Sequence, residues 1–118
     1  MNKVYINRVS KFLPNSPISN DEMESYLGKI NDRESKARRI VLRNNGIQTR
    51  YYALTAQGIP THSNVEITAN AIRNLLDDNF KGDQIQLISC GTSSPDYLMP
   101  SHAVMVHGEL KNGQSEVN

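Results

Sequence analysis

Cys90 is the first candidate for covalent chemistry, because it is the single cysteine of the 118-residue chain and a Gly-Thr-Ser-Ser sequence follows it. A nucleophilic thiolate needs a helix N-terminus or a cationic neighbour that lowers the pKa of the thiol. Cys90 instead ends the apolar run 85–90, where cysteine usually behaves as a small buried hydrophobe. We therefore expect a structural role for Cys90.

The three histidines lack the spacing of metal ligands. His102 and His107 lie on one predicted helix at a separation that turns them about 140° apart, whereas two ligands on one helix face are spaced i, i+4. His62 precedes a predicted helix start, where we expect it to be exposed. One cysteine cannot build a cysteine-rich zinc site or a disulfide framework. We expect no metal site.

Acid–base and phosphate-loop patterns are also missing. Asp77 and Asp78 are adjacent on a predicted helix and so do not face each other. Neither a GxxxxGK[ST] nor a GxGxxG pattern occurs anywhere in the sequence. These patterns therefore assign no catalytic residue.

Positive charge is concentrated between residues 33 and 50, which we call the 33–50 basic stripe. This segment contains six basic residues and one acidic residue, so the stripe carries a net charge of +5 and the rest of the chain a net charge of −4. Such a stripe suits phosphates or an acidic partner, and it equally suits a solvated helix face. A small stand-alone module that binds nucleic acid or an acidic carrier protein is one hypothesis. Only Tyr51 and Tyr52 supply aromatic rings, which argues against stacking on single-stranded nucleic acid.

Hydropathy and turn patterns predict the elements that position these residues. Capping boxes mark helix starts at Ser19 with Glu22 and at Ser63 with Glu66. The first half of the chain is predicted to form a strand at 3–13, a helix from the first capping box to Gly28, a helix within 32–42 and a short extended piece at 49–54. The second half is predicted to form a helix from the second capping box to Phe80, a strand at 85–90 and a helix from Pro100 to Leu110. Asn112-Gly113 is predicted to stop this last helix.

This order indicates one α/β domain of 13.2 kDa, with AVILMFWYC residues at 37%. No run reaches 18 apolar residues and no hydrophobic signal core is present, which favours a cytoplasmic protein without a membrane span. So few strands leave an incomplete sheet with an uncovered edge. We therefore expect a fragment that is oligomeric, strand-exchanged or poorly stable on its own.

Five short segments resemble, in chain order, motifs of the thiolase-like condensing enzymes, and most closely those of β-ketoacyl-acyl-carrier-protein synthase III. Together they span nearly all of the chain. They are Phe12-Leu13-Pro14, Ile18-Ser19-Asn20-Asp21-Glu22-Met23, Arg43-Asn44-Asn45-Gly46-Ile47-Gln48-Thr49-Arg50, residues 87–96, and Met99-Pro100-Ser101-His102-Ala103.

The resemblance implies that residues 1–118 are the N-terminal portion of a layered α-β-α thiolase-like fold. It implies a parent homodimer that condenses an acyl thioester, carried by coenzyme A or acyl carrier protein, with a malonyl thioester. The cysteine that accepts the acyl group would lie a few residues beyond Asn118, so this segment would hold no catalytic residue and would not be competent alone. The resemblance also argues against nucleic acid as a partner and implies that no cofactor is bound.

Two substrate-binding residues follow from the same resemblance. Arg43 matches an arginine at the mouth of the pantetheine tunnel that contacts the nucleotide of coenzyme A, and a guanidinium can grip phosphate with two hydrogen bonds. The family tryptophan that precedes this motif has no counterpart, because the chain contains no Trp. Met99 matches the residue that crosses the dimer interface to cap the partner's acyl pocket, where a flexible thioether suits a longer or varied chain.

Overall fold

The computed structural model describes residues 3–112, which form short helices and one small sheet. Two compact units are present: Leu13–His62, and the chain on either side of it, which we call the α3–α4 unit. In chain order the elements are β1 (Ile18–Ser19), α1 (Met23–Leu27), α2 (Arg38–Asn45), β2 (Thr49–Arg50), α3 (Asn64–Arg73), a 3₁₀ helix (Gly82–Gln84) and α4 (His102–Asn112).

The Leu13–His62 unit contains the sheet. β1 pairs antiparallel with β2, so that Ile18 lies opposite Arg50 and Ser19 opposite Thr49. The Ile18 side chain is buried, and the pairing is extended by a backbone hydrogen bond from Asn20 N to Gln48 O of 3.2 Å. The predicted extended piece at 49–54 is therefore a strand only over its first two residues.

The hydrogen bonds predicted between Ser19 and Glu22 form, but the predicted helix start at Ser19 is wrong, because Ser19 belongs to β1 and α1 begins at Met23 with Glu22 as its N-cap residue. The Ser19 backbone N–H donates to Glu22 Oε2 at 3.0 Å, and the Glu22 N–H donates to Ser19 Oγ at 3.4 Å. The Ser19 side-chain hydrogen bond, followed by the Ser19 backbone hydrogen bond, lowers the pKa of Glu22. Helix α1 follows this turn and ends at Gly28, whose φ of 79° favours glycine.

Helix α2 begins later than predicted, and the boundaries 32–42 are wrong. Asn31 and Asp32 have φ values of 51° and 55°, which are incompatible with a right-handed helix. The backbone around them instead forms a turn between Ile30 and Arg33. The helix then continues through Asn45 to Gly46, whose φ of 67° ends it.

In the α3–α4 unit, helix α3 packs against helix α4. The Ser63 and Glu66 capping box is complete, with Ser63 N donating to Glu66 Oε2 at 2.7 Å and Glu66 N donating to Ser63 Oγ at 3.1 Å. Ala69 on α3 and Val106 on α4 are fully buried. Helix α4 begins two residues after Pro100 and continues through Asn112, two residues beyond its predicted end at Leu110; Gly113, the second residue of the predicted stop, lies outside the described residues.

Helix α3 ends at Arg73 rather than continuing to Phe80 as predicted. The Asp77 carboxylate accepts hydrogen bonds from the backbone N–H groups of Asn79 (2.8 Å) and Phe80 (2.9 Å). A short aspartate side chain that bonds the backbone in this way competes with the helical ladder. A turn between Asp77 and Phe80 therefore replaces the last predicted turns of the helix.

The strands predicted at 3–13 and 85–90 do not form, since neither segment pairs with another strand in the part of the chain that the structure describes. Residues 3–13 are held to the α3 side by side-chain contacts instead: Arg8 to Asp77, Ser10 Oγ to Ala71 O, and Asn74 Nδ2 to Lys11 O at 3.0 Å. Val4, Ile6, Val9 and Leu87 are exposed. The observed architecture is a small mixed helix–strand fold compatible with the α/β class.

Across residues 3–112, no helix has the length and apolar character that crossing a membrane requires.

The Arg8–Asp77 ion pair predicts a pH-dependent stability. Arg8 Nη1 lies 2.7 Å from Asp77 Oδ2, and this hydrogen bond, with that of Asn79 N, lowers the pKa of Asp77 below its ordinary 3.8. A carboxyl group whose pKa is lowered by folding stabilises the fold above its unfolded pKa and loses that contribution as the pH falls through the folded pKa. The stabilisation is thus present at neutral pH and disappears in acid below the ordinary value.

Urea unfolding of the native chain and of Asp77→Asn across this pH range measures the effect. The difference in free energy of unfolding between the two proteins should be largest near neutral pH and should close in acid. Asp78→Asn, at the neighbouring exposed carboxylate, is the matched control and should follow the native curve. A gap between the native protein and Asp77→Asn that stays constant with pH would contradict the prediction.

Candidate functional site

A basic pocket lies beside helix α2 in the Leu13–His62 unit. Its volume is about 370 Å³, and three arginines line it together with Asp21, which leaves a formal charge of +2. Arg39 and Arg43 are one helical turn apart, so their side chains share a face. Gly46, Ile47 and Gln48 complete the lining of this open pocket. We call this site the Arg39–Arg43 pocket.

The third arginine, Arg38, serves the fold rather than a ligand. Its Nη1 lies 3.2 Å from Glu24 Oε2 and its Nη2 lies 4.0 Å from Asp21 Oδ1. Glu24 also accepts a hydrogen bond from Ser35 N, 3.2 Å away, which ties the turn before α2 to α1. Arg38 therefore links the two helices and has its charge largely satisfied.

Arg39 and Arg43 remain available for an anion. Both are exposed, and neither forms an ion pair with any of residues 3–112. Arg50, by contrast, donates from Nη1 to Asn20 Oδ1 at 2.5 Å. The 33–50 basic stripe is thus divided into arginines that hold the fold together and arginines that face solvent, a division that the sequence pattern does not show.

Hydrogen bonds fix the backbone of the turn after α2, close to Arg43. Asn45 Oδ1 accepts a hydrogen bond from Ile47 N at 2.9 Å, and Asn20 Nδ2 donates to Ile47 O at 2.9 Å. Gly46 supplies the left-handed backbone that turns the chain away from the helix. Because both sides of the turn are tied, the guanidinium of Arg43 extends from an ordered helix end.

Met99, the second residue predicted to bind substrate, lies in the α3–α4 unit and is 83% exposed. It follows two other exposed apolar side chains, Tyr97 and Leu98, in the loop before α4. Arg43 and Met99 belong to different compact units.

Asp96 anchors the start of that loop and was missed by sequence reasoning. Its carboxylate accepts hydrogen bonds from Asn64 N at 2.9 Å and Val65 N at 2.8 Å, the first two N–H groups of α3. A helix leaves these groups unpaired, and its dipole favours a negative charge there. Nothing local to Asp96 signals this role, because its partners are more than thirty residues away.

A second cavity, of about 540 Å³, lies in the α3–α4 unit and is lined by one face of α3, by Leu75 and Phe80 beyond its end, by Ile85 and residues 87–92, and by His102. Cys90 is half-buried in its wall. Among the described residues no lysine or arginine lines this cavity, so the wall offers no such cation to activate a thiolate. The structural role of Cys90 remains a prediction.

Within residues 3–112, no group of three or more histidine, cysteine, aspartate or glutamate side chains is arranged to hold a metal ion.

Comparison with known proteins finds curated proteins that are similar to this chain. The chain is 33% identical, over 99 residues, to a protein of Bordetella petrii named Beta-ketoacyl-[acyl-carrier-protein] synthase III. The match covers 84% of this chain and 28% of that relative, so the chain spans less than a third of its length. No family model matches the chain. The resemblance predicted from the sequence motifs is confirmed.

Proposed function

We propose that this chain is part of an acyltransferase that condenses an acyl thioester with a malonyl thioester, in the manner of 3-oxoacyl-acyl-carrier-protein synthase III, in fatty acid or related lipid biosynthesis. The observation that carries the proposal is the 33% identity over 99 residues to a synthase III. In this proposal residues 1–118 form the N-terminal portion of a layered thiolase-like fold, and the unpaired segments 3–13 and 85–90 join a larger sheet.

The reaction would proceed through an acyl-enzyme. A cysteine sulfur attacks the acyl carbonyl carbon and releases the carrier thiol. Loss of CO₂ from the malonyl thioester then supplies a carbanion, which attacks the carbonyl carbon of the acyl-enzyme and displaces the cysteine thiolate. Splitting a transfer into two steps in this way is ordinary nucleophilic catalysis. The nucleophile in this proposal is not Cys90, in whose cavity wall no lysine or arginine lies among residues 3–112, and it is supplied by other sequence.

The Arg39–Arg43 pocket would hold the phosphates of the substrate carrier. Its formal charge of +2 and the absence of ion pairs at Arg39 and Arg43 within residues 3–112 support this role. Bonds from arginine to phosphate are charge-assisted and frequently bidentate. Because the chain has no tryptophan to stack on adenine, we favour a donor bound to acyl carrier protein through phosphopantetheine over free acyl-coenzyme A.

Met99 would reach the acyl pocket of a partner subunit in a homodimer. Its side chain is 83% exposed and stands at the end of an exposed apolar loop, as an interface contact requires. A methionine there is unbranched and adapts its shape to different acyl chains.

The test is a steady-state assay of the protein that carries this segment, with acyl thioester and malonyl-acyl carrier protein as substrates and CO₂ release as the signal. Arg43→Ala should raise KM for the phosphate-bearing substrate about tenfold, because a hydrogen bond to a charged group contributes roughly 1.5–3 kcal/mol. kcat should change little, since the phosphates bind equally in the ground and transition states.

Arg33→Ala is the matched control, as Arg33 belongs to the same basic stripe but does not line the Arg39–Arg43 pocket. It should leave both constants unchanged. A protein without condensing activity would overturn the proposed function. Equal effects of the two substitutions would overturn the phosphate role of Arg43 alone.

The nucleic-acid alternative has less support, because Arg38 and Arg50 of the stripe are engaged within the fold. Nucleic acid binding would show an affinity that falls steeply with salt.

A further inference from the structure

The chain leaves helix α2 through an asparagine followed directly by a glycine, Asn45-Gly46. A glycine has no Cβ that could shield its own backbone nitrogen from a neighbouring side chain. Both residues are exposed, and a Cβ built on Gly46 would meet no atom within 4 Å apart from its chain neighbours. The nitrogen of Gly46 is therefore open to reaction, and there is room for a new ring beside it.

The side chain of Asn45 is folded back over this glycine. Its Oδ1 accepts a hydrogen bond from Ile47 N at 2.9 Å. An Asn side-chain oxygen that reaches the second backbone N–H ahead carries its Cγ towards the first, which here belongs to Gly46. The same hydrogen bond would stabilise the negative charge that develops on Oδ1 when a nucleophile adds to Cγ. The turn thus brings together an electrophilic carbon, a nucleophilic nitrogen and a donor for the oxyanion.

The charge around the turn favours the same reaction. Gly46 and Ile47 line the Arg39–Arg43 pocket, whose formal charge is +2. Neither Arg39 nor Arg43 forms an ion pair with any of residues 3–112. The attacking species is the deprotonated backbone nitrogen of Gly46, and positive charge nearby favours the charged form of an acid that ionises to an anion. The pocket therefore lowers the free energy needed to form the nucleophile.

We propose that Asn45 is a site of spontaneous deamidation, and that the charge of the Arg39–Arg43 pocket promotes the reaction. The Gly46 nitrogen loses its proton and bonds to Cγ of Asn45, while the bond from Cγ to the side-chain nitrogen breaks and releases ammonia. Water then opens the five-membered imide at either carbonyl carbon, which gives aspartate or isoaspartate at position 45. The balance is one water consumed and one ammonia released, with no oxidant or cofactor.

Either product changes the pocket. The new carboxylate adds one negative charge beside a site whose formal charge is +2. In isoaspartate the main chain also runs through the former side-chain methylene, so the 2.9 Å hydrogen bond from Asn20 Nδ2 to Ile47 O would be disturbed. A weaker hold on phosphate at Arg43 then follows, and this consequence rests on the proposed function. The deamidation itself does not.

Mass spectrometry of the full 118-residue chain, incubated at mildly alkaline pH in ¹⁸O-labelled water, tests the proposal. The water that opens the imide leaves its oxygen in the product, so the label separates this conversion from any that occurs during digestion in ordinary water. Trypsin releases residues 44–50 as one peptide, which reports Asn44 and Asn45 together, whereas the other such pair, Asn112-Gly113, lies in a separate peptide.

Asn44 is the internal control, because it is exposed and adjacent but is followed by a residue with a side chain. Asn45 should convert at least about tenfold faster than Asn44, which corresponds to a barrier lower by about 1.4 kcal/mol. Equal rates at the two positions, or an Asn45 that stays intact, would overturn the proposal. Both outcomes are independent of whether the protein that carries this segment has condensing activity.

Two charge variants test the role of the pocket. Arg39→Gln removes one of its charges and should slow the conversion of Asn45 about twofold, the effect expected of one charge near a solvent-exposed site. Arg33→Gln is the matched control, because Arg33 is also exposed and belongs to the same basic stripe but does not line the pocket. It should leave the rate unchanged. Equal rates in the two variants would overturn the part assigned to the pocket.

Discussion

Replacing Val106 by aspartate will disrupt the packing of α3 against α4 and unfold the α3–α4 unit. Val106 is fully buried in α4, and Ala69 is fully buried in α3, the helix against which α4 packs. An unpaired carboxylate at this position would have to be desolvated with no partner, or bring water into the core. We expect a loss of about 4 kcal/mol or more, which is most of the stability of a small domain.

Far-UV circular dichroism and thermal unfolding measure this loss. Val104→Asp is the matched control, since Val104 lies on the same helix with the same side chain but is 58% exposed. It should unfold close to the native temperature. Val106→Ala should give an intermediate loss of about 2 kcal/mol, the cost of the deleted methyl groups and the small cavity they leave. Equal unfolding temperatures for the two aspartate variants would contradict the assigned packing.

Replacing Asp96 by alanine should have the second largest effect, a decrease of about 2–3 kcal/mol in the free energy of unfolding. The Asp96 carboxylate accepts hydrogen bonds from the first two backbone N–H groups of α3, which would then lose their acceptor. The favourable interaction between a negative charge and the helix dipole would also disappear. The loop before α4 would at the same time lose two of its hydrogen bonds to α3, while the bond from Asn64 Nδ2 to Ser94 O would remain.

Urea denaturation of three proteins tests this role. Asp96→Asn retains one side-chain oxygen but no charge, so its stability should lie between those of the native protein and Asp96→Ala. Asp83→Ala, at an exposed carboxylate in the first turn of the 3₁₀ helix, should cost less than about 0.5 kcal/mol. An equal loss in Asp96→Ala and Asp83→Ala would show that Asp96 does not stabilise the helix end.

Features set by residues three or four positions apart could be predicted from the sequence. The Ser63–Glu66 capping box forms, the reciprocal hydrogen bonds between Ser19 and Glu22 form in the turn before α1, and α1 ends at Gly28 as expected. These structures depend on side chains that reach the neighbouring backbone, so their signal is local. The prediction failed where a competing or non-local contact determines the structure. Helix α3 ends early because the Asp77 carboxylate accepts hydrogen bonds from the backbone N–H groups that follow it. The strands predicted at 3–13 and 85–90 require partner strands that their own residues do not encode.

The candidate sites show the same division. The concentration of arginines near Arg43 is visible in the sequence, but the pairing of Arg38 with Glu24 depends on how two helices meet. The environment of His102 was not predictable, because the Thr68 hydroxyl that lies 3.0 Å from its Nε2 is 34 positions away in the sequence. The five-residue separation of His102 and His107 correctly predicts that they lie on different faces of one helix, and it predicts nothing more about their surroundings.

The attachment of residues 3–13 by side chains affects how the chain behaves at high concentration. Residues 4–9 lie outside any ladder, and Val4, Ile6 and Val9 face solvent. A strand from a second molecule can therefore be added along this backbone without first breaking a hydrogen-bonded ladder, which removes the usual energetic barrier to intermolecular sheet growth. Turbidity should therefore rise with protein concentration well below the temperature at which the helices melt.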